Sequence, residues 1–572
     1  LGCWFVVACG DGDATRREGN AGNAGNAGDH STGGHTVGAG GATGPFGSSA
    51  YTGAGANAGG THFGDLGGAG GTSGEATGTA GAIAVGGADP GVIGGAGGTA
   101  NTGGTANTGG TANTGGTANT GGTANTGGTA NTGGTANTGG TAGSASDPLE
   151  ALERIEGLRV VSREVLSPDT IRFNLTIEQP NDHGHPEGPK FEQTIQLLHR
   201  STSAPVVLIS TGYDIDMGFG GSELVPLLGA NQLGIEHRFF GTSKPEPLDW
   251  SLLNIRQAAA DTHHIVESLR GLYPGPWLST GASKGGMTSV FHRRFYPDDV
   301  VGTVAYVAPI SFGAPDTRYL DFLDNVGGPA QAKCRERLAA IQVEALERRA
   351  GLIPLIVQVQ GQTEAEAASS LESTVWDLPF SFWQFLGVVY CNWLPAKTAT
   401  DRELFDFLFL VVPGYSDPDV RLRFLPYYYQ AYTEFGYPAI RSEHFAHLLE
   451  TKPWSLSEAL PGVAIEFHPE VMQDIASWVK SEGNRLMFVY GEYDPWTTGA
   501  FELGSAKDAY LFVQPQGTHA ATMSSLSESD RLAAYSIVRR WAGVSTMETT
   551  NAPRSSSLVP QVERRVMPPV PQ

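Results

Sequence analysis

Apolar residues along this chain fall into three regimes. Residues 10–146 contain few large apolar side chains and show no helical or strand period. From 158 onward, short β-type runs alternate with turn chemistry: 158–165, 170–177, 191–199 and 206–210, broken at Ser167-Pro168-Asp169 and across 179–189. The stretch 234–241 follows, then a helical pattern over 255–272 and a strand at 302–307. Between 313 and 467 the period changes. Leu338, Ile341 and Ala345 recur at i, i+3 and i+7, and Thr400 with Glu403 forms a capping box before the apolar run 404–412. Strand patterns resume at 485–491 and 509–513.

Strands interleaved with helices predict an α/β fold with a doubly wound, mostly parallel sheet. An insertion of about 150 residues after a sheet strand predicts a helical lid over the edge where substrate-selecting loops gather. The alternative is an unrelated second domain, and the return of the sheet pattern argues against it. The predicted core is therefore 147–312 with 468–545, and the predicted lid is 313–467.

Composition separates the leader from the rest. Of 79 glycines, 48 precede residue 147. Residues 99–140 are seven copies of Thr-Ala-Asn-Thr-Gly-Gly, and without inward-facing aliphatics a stacked solenoid has nothing to bury. A flexible, low-complexity linker over 10–146 is expected, and a disordered Pro- and Ser-rich tail over 546–572. Leu1 to Cys9 reads as the end of an export signal, in which Val6-Val7-Ala8-Cys9 resembles a lipobox with Cys9 as the lipidated residue. A truncated ordinary signal peptide is the other reading. Both imply an exported protein, secreted or held at the cell surface, whose membrane attachment would be only through lipid at Cys9.

The net charge of −22 argues against nucleic acid or anionic lipid as a partner. In an exported chain Cys334 and Cys391 are expected to form a disulfide if the fold brings them together, isolated buried thiols being the alternative.

The chemistry centres on Gly281-Ala282-Ser283-Lys284-Gly285-Gly286, a G-x-S-x-G motif with an apolar lead-in and a helical run behind it. It reads as a nucleophile elbow, where a strand turns sharply into a helix and exposes the serine. Small residues flank Ser283 because a strained turn brings backbones into contact. Asp494 follows the strand 485–491, and His519 follows the next strand, so both can reach Ser283. Ser283 needs His519 to take its proton, and Asp494 would fix the imidazole tautomer. Glu492 and Asp508 are weaker acid candidates. The oxyanion hole is expected from the backbone of Lys284 and from the loop after 206–210, near Gly212 and Tyr213. No metal and no cofactor is expected: His183 and His185 beside Asp182 lie in a Pro- and Gly-rich turn.

Several stretches together resemble the secreted bacterial tripeptidyl and prolyl tripeptidyl aminopeptidases, serine exopeptidases related to lysosomal Pro-Xaa carboxypeptidase and dipeptidyl peptidase II. They are Gln179-Pro180-Asn181-Asp182-His183, Glu236-His237-Arg238-Phe239-Phe240-Gly241, the elbow with His292-Arg293-Arg294-Phe295-Tyr296-Pro297, Gly491 through Trp496, and Gly517-Thr518-His519-Ala520. The resemblance implies an α/β-hydrolase with a helical lid, the triad Ser283, Asp494 and His519, and release of short peptides from free N-termini, often after proline. Such an enzyme must also hold the substrate's ammonium. Glu434, among the lid aromatics Tyr428 to Tyr437, is the candidate acid, with Glu236 and Glu492 as competitors. An esterase or lipase on the same fold, or a stalked binding protein without catalysis, are the alternative functions.

Overall fold

The computed structural model describes residues 147–215, 221–412 and 418–544. The signal and lipobox reading with Cys9, the linker with its repeats, and the tail from 546 lie outside the described residues.

Nine strands form one sheet: β1 (Leu158–Ser167), β2 (Thr170–Pro180), β3 (Lys190–His199), β4 (Val206–Ser210), β5 (Asn231–Ile235), β6 (Trp277–Ala282), β7 (Gly302–Tyr306), β8 (Leu486–Gly491) and β9 (Tyr510–Gln514), in the order β1-β2-β3-β5-β4-β6-β7-β8-β9. The pairings from β1 through β3 to β5 are antiparallel, and all those from β5 across to β9 are parallel. Burial follows position in the sheet. β2 alternates, burying Ile171, Phe173, Leu175 and Ile177 on one face, whereas every residue of β4, β6 through Gly281, β7 and β8 is buried. In β4 the period of two sends Val207 and Ile209 to one core and Val206 and Leu208 to the other, which is what a sheet covered by helices on both faces requires.

The helix Ile255–Arg270 starts where Asn254 Oδ1 accepts from Gln257 N at 3.0 Å, and it buries Ala259, Ile265, Val266 and Leu269. β5 ends at Ile235, and the chain leaves the sheet at Glu236. That side chain accepts from the backbone N–H groups of Ile215, Thr242 and Ser243 and organises the loop.

Between β7 and β8 the described residues form no named strand. The helices Ala332–Glu347, Arg349–Gln360, Glu364–Ser381 and Asp401–Val411 bundle around Leu338, Ile341, Leu371, Val375, Leu404 and Leu408. Thr400 and Glu403 make the expected capping box, and Thr363 with Glu366 makes a second. Cys334 and Cys391 are joined by a disulfide across 57 residues of sequence within this insertion. Tyr427, Tyr428 and Tyr429 are buried and pack with Tyr213, Phe240 and Leu456.

Candidate active site

Ser283 sits between β6 and the helix Lys284–Phe295 with φ 54° and ψ −126°, a conformation that L-residues rarely adopt. The turn is tight because Gly281 and Gly285, two residues to either side, have no side chains. A Cβ on Gly281 would lie 2.4 Å from Gly285 C, and one on Gly285 would lie 2.2 Å from Ser210 O. The strain is held by hydrogen bonds on both sides: Ser283 N donates to Tyr306 O of β7, and Met287 N to Ser283 O, each at 2.9 Å.

Asp494 and His519 follow the C-terminal ends of β8 and β9, the same sheet edge as the elbow. Asp494 is fully buried. Its Oδ1 accepts from Trp496 N at 3.1 Å, capping the turn Pro495–Gly499, and its Oδ2 lies 2.6 Å from His519 Nδ1. With Nδ1 donating to the carboxylate, Nε2 is the basic nitrogen. Nε2 is buried and has no hydrogen-bond partner among the described residues. The backbone arranges this pair closely: a Cβ on Gly491 would meet Thr518 O at 2.2 Å, so only glycine lets β8 pass under the histidine loop. Asp508 is occupied elsewhere, bonded to Arg540, Tyr510 and the indole of Trp541.

The loop after β4 packs directly on the elbow. A Cβ on Gly212 would lie 2.6 Å from Gly285 N. Lys284 is buried with Nζ donating to Gly212 O at 2.5 Å, and its ammonium faces the rings of Tyr213, Phe240 and Phe435 at 5.4, 5.0 and 5.7 Å. This side chain therefore fixes the peptide that joins Gly212 to Tyr213, a role the motif alone does not announce. Tyr213 N donates to Thr211 Oγ1 at 3.3 Å. Burial, and then the Lys284 charge, push the His237 imidazole well below its ordinary pKa.

The three acids proposed to read an N-terminus are engaged in other contacts. Glu236 is wrapped by its loop, as described above. Glu492 is exposed and accepts from Gln516 N at 2.7 Å. Glu434 lies in the turn Ala431–Phe435, is buried, and accepts through Oε2 from Ile255 N at 3.0 Å, the first residue of the helix Ile255–Arg270. Burial raises its carboxyl to about 8 against the pull of that N–H and of Lys284. Its neighbour Phe435 stacks on Phe291 in the core beneath the elbow. Glu434 thus serves the start of this helix. His183 and His185 bond Asp261 and Asp182 respectively, and no group of residues fit to hold a metal occurs among the described residues.

Sequence reasoning missed the contacts that the insertion makes with the histidine. Its longest helix, Glu364–Ser381, runs into the π-turn Phe382–Leu386, where Gln384 O accepts from His519 N at 2.8 Å and Phe385 meets the imidazole edge-on at 6.3 Å. A π-turn leaves no periodic signature that could be read beforehand.

A parallel sheet with a strained serine turn at the end of its central strand and an Asp–His pair on the same edge defines an α/β-hydrolase. The family described as PS-10 peptidase S37 matches residues 144–566. The chain belongs to that family, and it is a serine peptidase. It is 38% identical over 386 residues to the prolyl tri/tetrapeptidyl aminopeptidase of Streptomyces mobaraensis, covering 65% of this chain and 80% of that protein. The lysosomal Pro-X carboxypeptidase of Bos taurus is 23% identical over 341 residues, 50% of this chain and 67% of that one. Among solved structures, proline iminopeptidase from Mycobacterium smegmatis matches with a TM-score of 0.28 and 13% identity, covering 64% of this chain and 98% of that one.

Proposed function

We propose that the protein is an exported exopeptidase that removes tripeptides or similarly short peptides, some ending in proline, from free N-termini. In this reading Ser283 is the nucleophile, His519 the general base and Asp494 the orienting acid. The observation that carries it is the 2.6 Å contact between His519 Nδ1 and buried Asp494, on the edge that also bears the strained Ser283. Identity to a prolyl tri/tetrapeptidyl aminopeptidase supports the substrate class.

Ser283 Oγ attacks the scissile carbonyl carbon while Nε2 of His519 takes its proton. The negative charge moves to the carbonyl oxygen, which the Lys284 N–H and the loop at Gly212 and Tyr213 would stabilise. The imidazolium returns the proton to the leaving amine, and the N-terminal peptide remains as an ester on Ser283 until water, deprotonated by the same imidazole, releases it. Export is supported by the Cys334–Cys391 disulfide. No described helix is long and apolar enough to cross a membrane, so a surface location would rest on lipid at Cys9.

A panel of chromogenic tripeptides tests the reading, each offered with a free and with an acetylated amino end. Preference for the free amine is expected. Efficient turnover of simple esters with none of the peptides would replace it with an esterase.

A further inference from the structure

The substrate's acyl part, which stays on Ser283, ends in an ammonium, and Glu434, Glu236 and Glu492 are all engaged elsewhere. Other acids of the insertion without such contacts, among them Glu336, Glu347 and Glu466, are exposed, and Asp377 differs from them in its burial. Asp377 lies on the helix Glu364–Ser381, is partly buried, and has no hydrogen bond or ion pair among the described residues.

Its place on that helix is informative. Phe380 and Ser381 follow it at i+3 and i+4, so the three share one face. The π-turn that continues the helix accepts from His519 N through the Gln384 carbonyl, and Phe380 packs on Trp496 at 5.1 Å, which itself lies 6.4 Å from the His519 ring. This face therefore runs away from the catalytic histidine toward Asp377.

Two polar groups beside this line of contacts are buried. Ser381 Oγ and the Trp496 indole Nε1 belong to residues 0% and 4% exposed, and neither has a hydrogen-bond partner among the described residues. Buried polar atoms are rarely left so, and an extended peptide offers the carbonyls and N–H groups to satisfy them. Tyr432 and Tyr437, stacked with centroids 5.1 Å apart, stand close enough to Asp377 to feel its charge. Burial holds the Asp377 carboxyl above its usual range. A cation docked on it would offset that desolvation.

We propose that Asp377 binds the N-terminal ammonium of the substrate and that Ser381 and Trp496 bond the peptide backbone between it and Ser283. The separation of Asp377 from Ser283 would then set the length of the released peptide. This rests on the exopeptidase reading above, and the test separates the two.

Asp377→Asn in the full chain should lower kcat/KM for a free-amine tripeptide anilide by about 10- to 100-fold, the range for a charged hydrogen bond. Turnover of the acetylated twin and the rate of fluorophosphonate labelling should stay as in the wild type, which also shows that the fold is intact. Glu434→Gln should keep the preference for the free amine. A wild-type preference that survives Asp377→Asn, or that Glu434→Gln abolishes instead, overturns the assignment. Equal losses on both substrates in Asp377→Asn would also overturn it, by making Asp377 a support of the insertion. A wild type with no preference for the free amine would sink the exopeptidase reading itself, and this assignment with it.

Discussion

At the sheet edge the chain positions its chemistry with backbone: Gly281, Gly285 and Gly491 leave no room for even a methyl group, and Ser283 is held by main-chain bonds to β7 and to its own helix. The helical insertion uses side chains instead. Its helices meet through Leu338, Ile341, Leu371 and Val375, through Arg349 on Glu372 at 3.1 Å, and through one disulfide. Backbone contacts between glycines do not relax, whereas side-chain packing can be rearranged at moderate cost. The difference suits a hydrolase whose reaction is fixed and whose substrate pocket is adjustable, and it sets how each region should respond to substitution.

The largest effect is expected at Ser283, the proposed nucleophile. Ser283→Ala should lower hydrolysis by about 10⁴-fold or more, while leaving the thermal midpoint near that of the wild type, because the elbow accepts a small side chain. Mass spectrometry after fluorophosphonate treatment should find the label on Ser283 alone. A label elsewhere would remove Ser283 from the role.

Gly491→Ala probes the backbone rule away from the reacting atoms. The added methyl would meet Thr518 O at 2.2 Å and displace the loop that carries His519. A shift of this kind is expected to cost on the order of 10²-fold in kcat/KM. Undiminished activity would show that the histidine loop is as adjustable as the insertion.

The same contrast explains what could be read from the amino-acid order. An elbow, an acid after one strand and a histidine after the next are local signals, each tied to a strand end, and the chain from Ser283 to His519 displays all of them. The capping box at Thr400 and the helical period at Leu338 were legible for the same reason. Glu434 and Asp377 were not separable, because both sit among aromatics in helical sequence. Only tertiary packing turns one toward Ile255 N and sets the other on the face that leads to His519. The pairing sense of β1 to β3 and the work of the Lys284 side chain were likewise invisible, since both depend on neighbours distant in sequence.

Within the insertion, Cys334→Ser with Cys391→Ser should be tolerated. Loss of the cross-link is expected to cost about 2–4 kcal/mol, much of it through the unfolded chain, and to change turnover at 25 °C only a few-fold. Limited proteolysis should then cut between 313 and 467 before it cuts the sheet. Cleavage in the sheet first would mean that the insertion is the more rigid region.

The smallest effect on activity is expected at Glu434, and it tests which side of the boundary that residue belongs to. Burial raises its folded-state pKa to about 8, above its value in the unfolded chain. Between the ordinary glutamate range and about 8 the folded protein therefore binds the proton more tightly than the unfolded chain does. The stability this contributes is fully present at acidic pH and is lost as pH rises through about 8, where the carboxylate must ionise in a buried site. Glu434→Gln keeps an oxygen to accept from Ile255 N but has no proton to lose. The variant's thermal midpoint should therefore gain on the wild type as pH is raised from 5 to 9, with kcat/KM for free-amine peptides little changed. A difference in midpoint that does not vary with pH would show that Glu434 is already ionised, paired with Lys284, and that the elbow depends on that pair.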